Sequence, residues 1–263
     1  MEPMSNALPT PFDVKLMNLA ATALFSVCLV LLLAAGLWWA LRHPLFAVVG
    51  ITVQGDVTHN NAVTLRANVA PRLAGNFFTV NLAAAREAFE GVPWVRKAVV
   101  RREFPNRLRV RLEEHRAVAL WGSDSEARLL NSFGEVFEAN VGDVETDDLP
   151  RLAGPDDQSA QVLAMYRGLA PLFAPLDLAI ETLTLTARGS WQLELDTRAV
   201  LELGRGTPQE VTVRTQRFVQ TLNQVTSRYG RRPEALMSAD LRHGDGYAVR
   251  LRGVATTADA AKR

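Results

Sequence analysis

In the stretch VRREFPNRLRVRLEE, residues 100–114, arginine stands at every second position from 107 to 111. Arg107, Arg109 and Arg111 alternate with Leu108, Val110 and Leu112, and Arg101 and Arg102 add charge just upstream. Guanidinium groups at that spacing make a positive stripe that can meet phosphate, carboxylate or only water. Between positions 96 and 116, eight Lys/Arg stand against Glu103, Glu113 and Glu114, more than solubility needs on so short a hairpin. Other chemistry is sparse. His43, His59, His115 and His243 share no metal-ligand spacing with one another or with a carboxylate motif. Glu113 and Glu114 are neighbours, so on a strand they point to opposite faces and cannot share a proton. The GRG at 204–206 follows a strand and precedes a helix, as a phosphate loop does, but it lacks the lysine and the remaining glycines. The HGDG at 243–246 reads as a hairpin turn, since Asp-Gly favours positive φ. No Gly-x-Ser-x-Gly elbow and no His-Glu-x-x-His occurs. The expectation is no catalytic, cofactor-binding or metal-ligating set, and no enzyme.

The chain that must position these groups has 263 residues, room for one or two domains with real cores. Its net charge of +1 gives no overall field to gather nucleic acid. No aromatic side chain alternates with the arginines to stack on bases. The single cysteine, Cys28, rules out an intrachain disulfide and suits an oxidising compartment or the cytosol equally.

From Leu16 to Leu41 no residue is charged, and Lys15 and Arg42 bracket the run. As helix it would extend about 39 Å, more than the roughly 30 Å of hydrocarbon in a bilayer. Trp38 and Trp39 sit near one end, where indoles anchor at an interface. A cleaved signal peptide would place Ala34 and Gly36 near a cut, but the apolar run is too long and the leading charge too weak. The expected organisation is a short cytoplasmic tail at 1–15 and a transmembrane helix at 16–42. Flanking charge does not orient it. The large trailing part does, and is expected outside the cytoplasm.

Beyond the anchor, a strand at 45–54 is followed by a helix with Ala62, Leu65 and Val69 on one face. Asn81 caps a second helix carrying Leu82, Ala85 and Phe89. Two strands joined at Phe104-Pro105-Asn106-Arg107 complete a small α+β domain over 45–114, a three-stranded sheet with both helices on one face. Its arginines at 107, 109 and 111 then face outward. A larger antiparallel β domain with flanking helices is expected over 115–254. It includes a hairpin around Ser132-Phe133-Gly134, a helix at DDQSAQVLAMYRGLAPLF and a three-strand meander through Leu183, Leu193 and Leu201. Thr207-Pro208-Gln209-Glu210 opens a helix with a capping box, its apolar face running through Val211, Phe218, Leu222, Val225 and Tyr229. LMSADLR and YAVRLR close the domain, and 255–263 is a flexible tail.

Taken together, VQG, NFFTVNL, PWVRKAVVRREFPNRLRVRLEEHRAVALW, LLNSFGEVF, LPRLAGP, LTARGSWQLELDTRAVLELGRG and ADLRHGDGYAVRL closely resemble the FtsQ/DivIB family of bacterial cell-division proteins, from the anchor to about residue 252. The resemblance implies a single-pass, type II protein of the cell inner membrane, with a POTRA domain and a β domain in the periplasm. It implies a non-enzymatic scaffold at the division septum, without cofactors. It links early and late divisome proteins, binds FtsB and FtsL, contacts other divisome membrane proteins and is open to self-association. Nucleic acid is not among its expected partners. The alternative is a POTRA-type scaffold for envelope transport or assembly. Such proteins usually continue into a barrel, and no run of amphipathic strands of the needed length is present here. A membrane-anchored envelope hydrolase is a further alternative, but the paired carboxylates or metal set it needs are not found.

Two surfaces are expected to carry binding. The first is the final strand, GYAVRLR, with an unpaired edge that Arg250 and Arg252 blunt and a partner strand would fill. Expected contacts for FtsB or FtsL there are Arg242, His243, Gly246, Tyr247, Ala248, Val249, Arg250, Leu251 and Arg252, with Tyr247 as an amphipathic anchor and Arg188 at the meander corner. The second is the arginine hairpin, with Arg101, Arg102, Arg107, Arg109 and Arg111 serving recruitment.

Overall fold

The computed structural model describes residues 12–254, apart from residues 56, 74, 124–126, 147 and 245. The tail expected at 255–263 and residues 1–11 of the leading tail lie outside the described residues. The apolar helix α1 (Phe12–Leu41) begins four residues earlier than its uncharged run, taking in Asp13 and Lys15. Its length and composition suffice to cross a membrane, and its large side chains are exposed.

The chain divides into two units, Met1–Val92 with Lys97–Glu113, and Pro93–Arg96 with Glu114–Arg263. After α1, Pro44–Phe46 forms a short 3-10 turn, so β1 (Gly50–Gly55) starts later than alternation alone implies. Then come α2 (Ala62–Val69), α3 (Leu82–Glu90), β2 (Val95–Glu103) and β3 (Arg107–Glu114). The side-chain oxygen of Asn81 accepts from Ala83 N at 2.9 Å and Ala84 N at 3.2 Å, the cap expected of it. The sheet order is β1-β3-β2, with β1 parallel to the central β3. Leu108, Val110 and Leu112 are buried with Leu65, Val69, Ala85 and Phe89. Gly55 has φ +113, and a Cβ there would lie 2.2 Å from Leu112 O, so only glycine ends β1 in this way.

The second unit carries β4 (Ala117–Trp121), β5 (Arg128–Asn131), β6 (Val136–Phe137), β7 (Arg151–Ala153), α4 (Ser159–Phe173), β8 (Ile180–Leu185), β9 (Ser190–Leu195), β10 (Val200–Arg205), α5 (Pro208–Arg228), β11 (Leu236–Asp240) and β12 (Ala248–Leu251). They form one nine-stranded sheet in the order β12-β11-β10-β9-β8-β7-β4-β5-β6. The expected meander is β8-β9-β10. Its buried Leu183, Trp191, Leu193 and Leu201 share a core with Val162, Leu169 and Phe173 of α4 and Phe218 and Leu222 of α5. The expected hairpin is β5-β6, organised by buried Asn131, whose side-chain oxygen accepts from Phe133 N and Glu135 N, each at 2.9 Å.

The sheet is mixed where an antiparallel one was expected. β4 and β7, β7 and β8, and β10 and β11 pair in parallel. For the last two the cause is visible in the connections: α4 joins β7 to β8 and α5 joins β10 to β11, and a helical crossover returns the chain to the same end of the sheet. Thr207 and Glu210 form the full capping box of α5. Tyr229 leaves the apolar face it was assigned to. It is the C-cap residue of α5, outside the helix proper, and 58% exposed.

Candidate partner-docking site

Among the described residues, β12 lies at one end of the nine-stranded sheet, with β6 at the other, and hydrogen-bonds to one neighbouring strand, β11. Which of its amides face outward follows from the ladder. Leu241 N donates to Glu202 O of β10, so along β11 the groups of Ala239 face β10, and those of Ser238 and Asp240 face β12. Ser238 pairs with Arg250 and Asp240 with Ala248, so the amides of Ala248 and Arg250 point inward. Arg252 N, donating to Ala235 O at 2.8 Å, keeps the same alternation. The amides of Val249 and Leu251 therefore point to the open side. Leu251 is buried, Val249 is half-buried, and Ala248, Arg250 and Arg252 are exposed.

Tyr247 sits differently from its expected role. Its ring meets Phe218 edge-on at 5.0 Å and its hydroxyl lies 2.6 Å from Thr221 Oγ1. Both its apolar body and its polar tip are engaged within the domain, so it fastens the start of β12 to α5 rather than presenting itself outward.

Arg242 is fastened too. Its Nε donates to Asp240 Oδ1 at 2.9 Å, its Nη2 to Oδ2 at 2.6 Å, and its backbone N to Oδ1 at 3.0 Å. These bonds, the side-chain ones first, lower the Asp240 pKa to about 2. The stem of Arg242 passes over Gly204, where φ is +80 and a Cβ would lie 2.9 Å from Arg242 Cγ and 3.1 Å from Arg214 Nη1. Gly204 is also where the β9–β10 register shifts. The GRG is thus a bulge that makes room for two arginines. Arg188 and Arg242, far apart in sequence, line one concavity with Arg205, Arg214, Thr186 and Ser190. Arg214 donates to the carbonyls of Leu203 and Arg205. The sequence shows Arg205 only as part of the GRG turn, and nothing near Arg214 marks it as a partner of Arg188 or Arg242. His243 is exposed, its Nε2 4.0 Å from Asp240 Oδ2, and with Gly246 it lines a groove beside α5.

In the first unit, the exposed Arg107, Arg109 and Arg111 alternate with the buried leucines and valine of β3. Arg109 is ion-paired with Glu103. Arg101 is exposed. Arg102 has a structural duty instead: its Nε donates to Phe77 O at 2.6 Å, and its Nη2 to Val80 O at 2.8 Å and Phe78 O at 3.4 Å. It holds the NFFTV link, which has no regular partner for those carbonyls. Among the described residues, no group of three His, Cys, Asp or Glu converges as a metal site.

Fold and site define a class: a single-pass membrane protein that carries a small three-stranded domain and a larger mixed-sheet domain ending in an open edge. Comparison with known proteins narrows it. The family described as POTRA domain, FtsQ-type, matches residues 46–115, and the family described as Cell division protein FtsQ/DivIB, C-terminal, matches residues 119–242. The chain is 42% identical over 251 residues to the cell division protein FtsQ of Burkholderia pseudomallei, covering 95% of this chain and 98% of that one. It is 39% identical over 247 residues to FtsQ of Thiomonas arsenitoxydans, covering 93% and 89%. It is likewise 39% identical over 256 residues to FtsQ of Bordetella pertussis, covering 91% and 92%. The chain belongs to the FtsQ/DivIB family of cell-division proteins.

Proposed function

We propose that the chain is a non-catalytic scaffold of the divisome in the inner membrane, with both folded domains in the periplasm at the septum. A segment of FtsB, accompanied by FtsL, adds to β12 as a further strand. The amides of Val249 and Leu251 supply the ladder. Arg250 and Arg252 on the strand, and Arg188 and Arg242 in the concavity of the same domain, meet acidic side chains of the partner. Arg101, Arg107, Arg109 and Arg111 form a second, recruiting face on the POTRA domain. The observation that carries the reading is the open edge of β12, with an arginine-lined concavity in the same domain that Arg242 of the loop before β12 helps to line, in a chain of a cell-division family.

Val249→Pro tests it, because proline removes a donor on the open side while leaving the β11 ladder intact. The full chain in detergent should keep its melting temperature and bind FtsB at least about tenfold more weakly, the effect of roughly 1.4 kcal/mol. A folded Val249→Pro chain that binds FtsB like the wild type rules out strand addition at this edge.

A further inference from the structure

We infer that the membrane-proximal end of the POTRA domain is itself a lipid-contact surface, seated among the headgroups of the leaflet from which α1 emerges. Leu45, Val49 and Phe104 are 73%, 71% and 77% exposed, and Phe78 is 43% exposed. Single apolar side chains on a surface need no explanation, but Phe78 and Phe104 are linked through the buried Phe77, and Leu45 precedes Phe46, which packs on Phe78. Phe46 meets Phe78 edge-on at 4.9 Å, Phe78 meets Phe77 at 5.2 Å, and Phe77 meets Phe104 at 6.2 Å. Val49 N donates to Asn106 O at 3.0 Å, which sets it beside the turn that carries Phe104.

The patch is also tied to the end of α1. Asn76 donates its side-chain amide to Leu41 O, and Phe77 N donates to Phe46 O at 2.7 Å. As a 30-residue helix, α1 extends about 45 Å, the thickness of a bilayer with its headgroups. Its last turn, with exposed Trp38 and Trp39, therefore stands in the headgroup layer. Leu45 follows only four positions later, and the intervening chain tightens into a 3-10 turn that rises about 2 Å per residue, so the patch does not climb clear of that layer. Basic groups flank it: Arg42 is exposed, its guanidinium 4.2 Å above the Trp38 ring, and exposed Arg107 closes the Phe104 turn. Aromatic and aliphatic side chains beside arginines suit an anionic lipid surface.

The inference rests on α1 spanning the bilayer, and one experiment separates the two. The full chain is reconstituted in vesicles of phosphatidylethanolamine and phosphatidylglycerol, with no other protein. A nitroxide is attached to native Cys28, or to Leu45→Cys, Phe104→Cys or Val213→Cys in a Cys28→Ala background. Collision with oxygen, which enters lipid, is compared with collision with a water-soluble nickel chelate. Cys28 should favour oxygen, positions 45 and 104 should favour oxygen as well, and position 213, exposed on α5, should favour nickel. If 45 and 104 favour nickel like 213 while Cys28 favours oxygen, the lipid contact is overturned and the anchor stands. If Cys28 favours nickel, both fall. An oxygen preference at 45 and 104 that disappears on dilution in lipid means a second copy covers the patch, which also overturns the inference. Unchanged melting of the Leu45→Cys and Phe104→Cys chains establishes that the labelled proteins are folded.

Discussion

Asp240 is the carboxylate that holds the loop before β12 in place. It ends β11, pairs across the ladder with Ala248, and grips Arg242 through both oxygens. Its folded pKa of about 2 lies below the ordinary value near 3.9, so its contribution is whole above that ordinary value and fades as pH falls toward 2. Melting temperature followed from pH 6 to pH 2 should show this loss in the wild type. Asp240→Asn should melt lower at pH 6 and lack that part of the decline. On the POTRA domain, Arg107 and Arg109 are exposed, and the Arg109–Glu103 pair is of the surface kind that contributes little. Replacing both with Glu should change stability by no more than about 1 kcal/mol. Septal localisation of a fluorescent fusion should fall under the recruiting reading, and normal localisation would leave these charges as a wetted face.

At the scale of elements, β12 has two unequal sides, and neighbouring residues report them. Ala248→Pro removes an inward donor to the Asp240 pairing and should lower stability by about 1–3 kcal/mol in a melt, whereas Val249→Pro should not. Telling them apart needed the ladder. Alternation of Val249 and Leu251 with Ala248 and Arg250 marks the buried side chains, but backbone groups point within the plane of the sheet and depend on which strand lies next door. The same limit explains what else was hidden. The Asn81 cap, the Thr207–Glu210 box and the β8-β9-β10 meander are local and readable from adjacent residues. The parallel pairing of β7 with β4 and β8 is not, because a three-residue strand carries no record of its neighbours. Arg102 reads as one more charge in the hairpin. Only the fold brings it to the carbonyls of Phe77, Phe78 and Val80. The GRG reads as a turn, and its purpose of admitting Arg242 and Arg214 depends on residues distant in sequence.

For the molecule as a whole, the β12 end of the nine-stranded sheet invites company of more than one kind. A strand edge that accepts a partner's backbone also fits the edge of an identical chain, related by a two-fold axis. In that antiparallel pairing the exposed Arg250 and Arg252 of two copies would be brought together across the new ladder, and like charges there are unfavourable. Arg250→Ala with Arg252→Ala should therefore form dimers, by sedimentation, at concentrations where the wild type stays monomeric. Wild-type behaviour of that double variant would mean that the arginines do not guard the edge. Under the strand-addition reading, the balance between synthesis of this chain and of its partner would become a matter of dosage. Every surplus copy would keep a bare edge, and two arginines would set how large the surplus can grow before copies begin to consume one another.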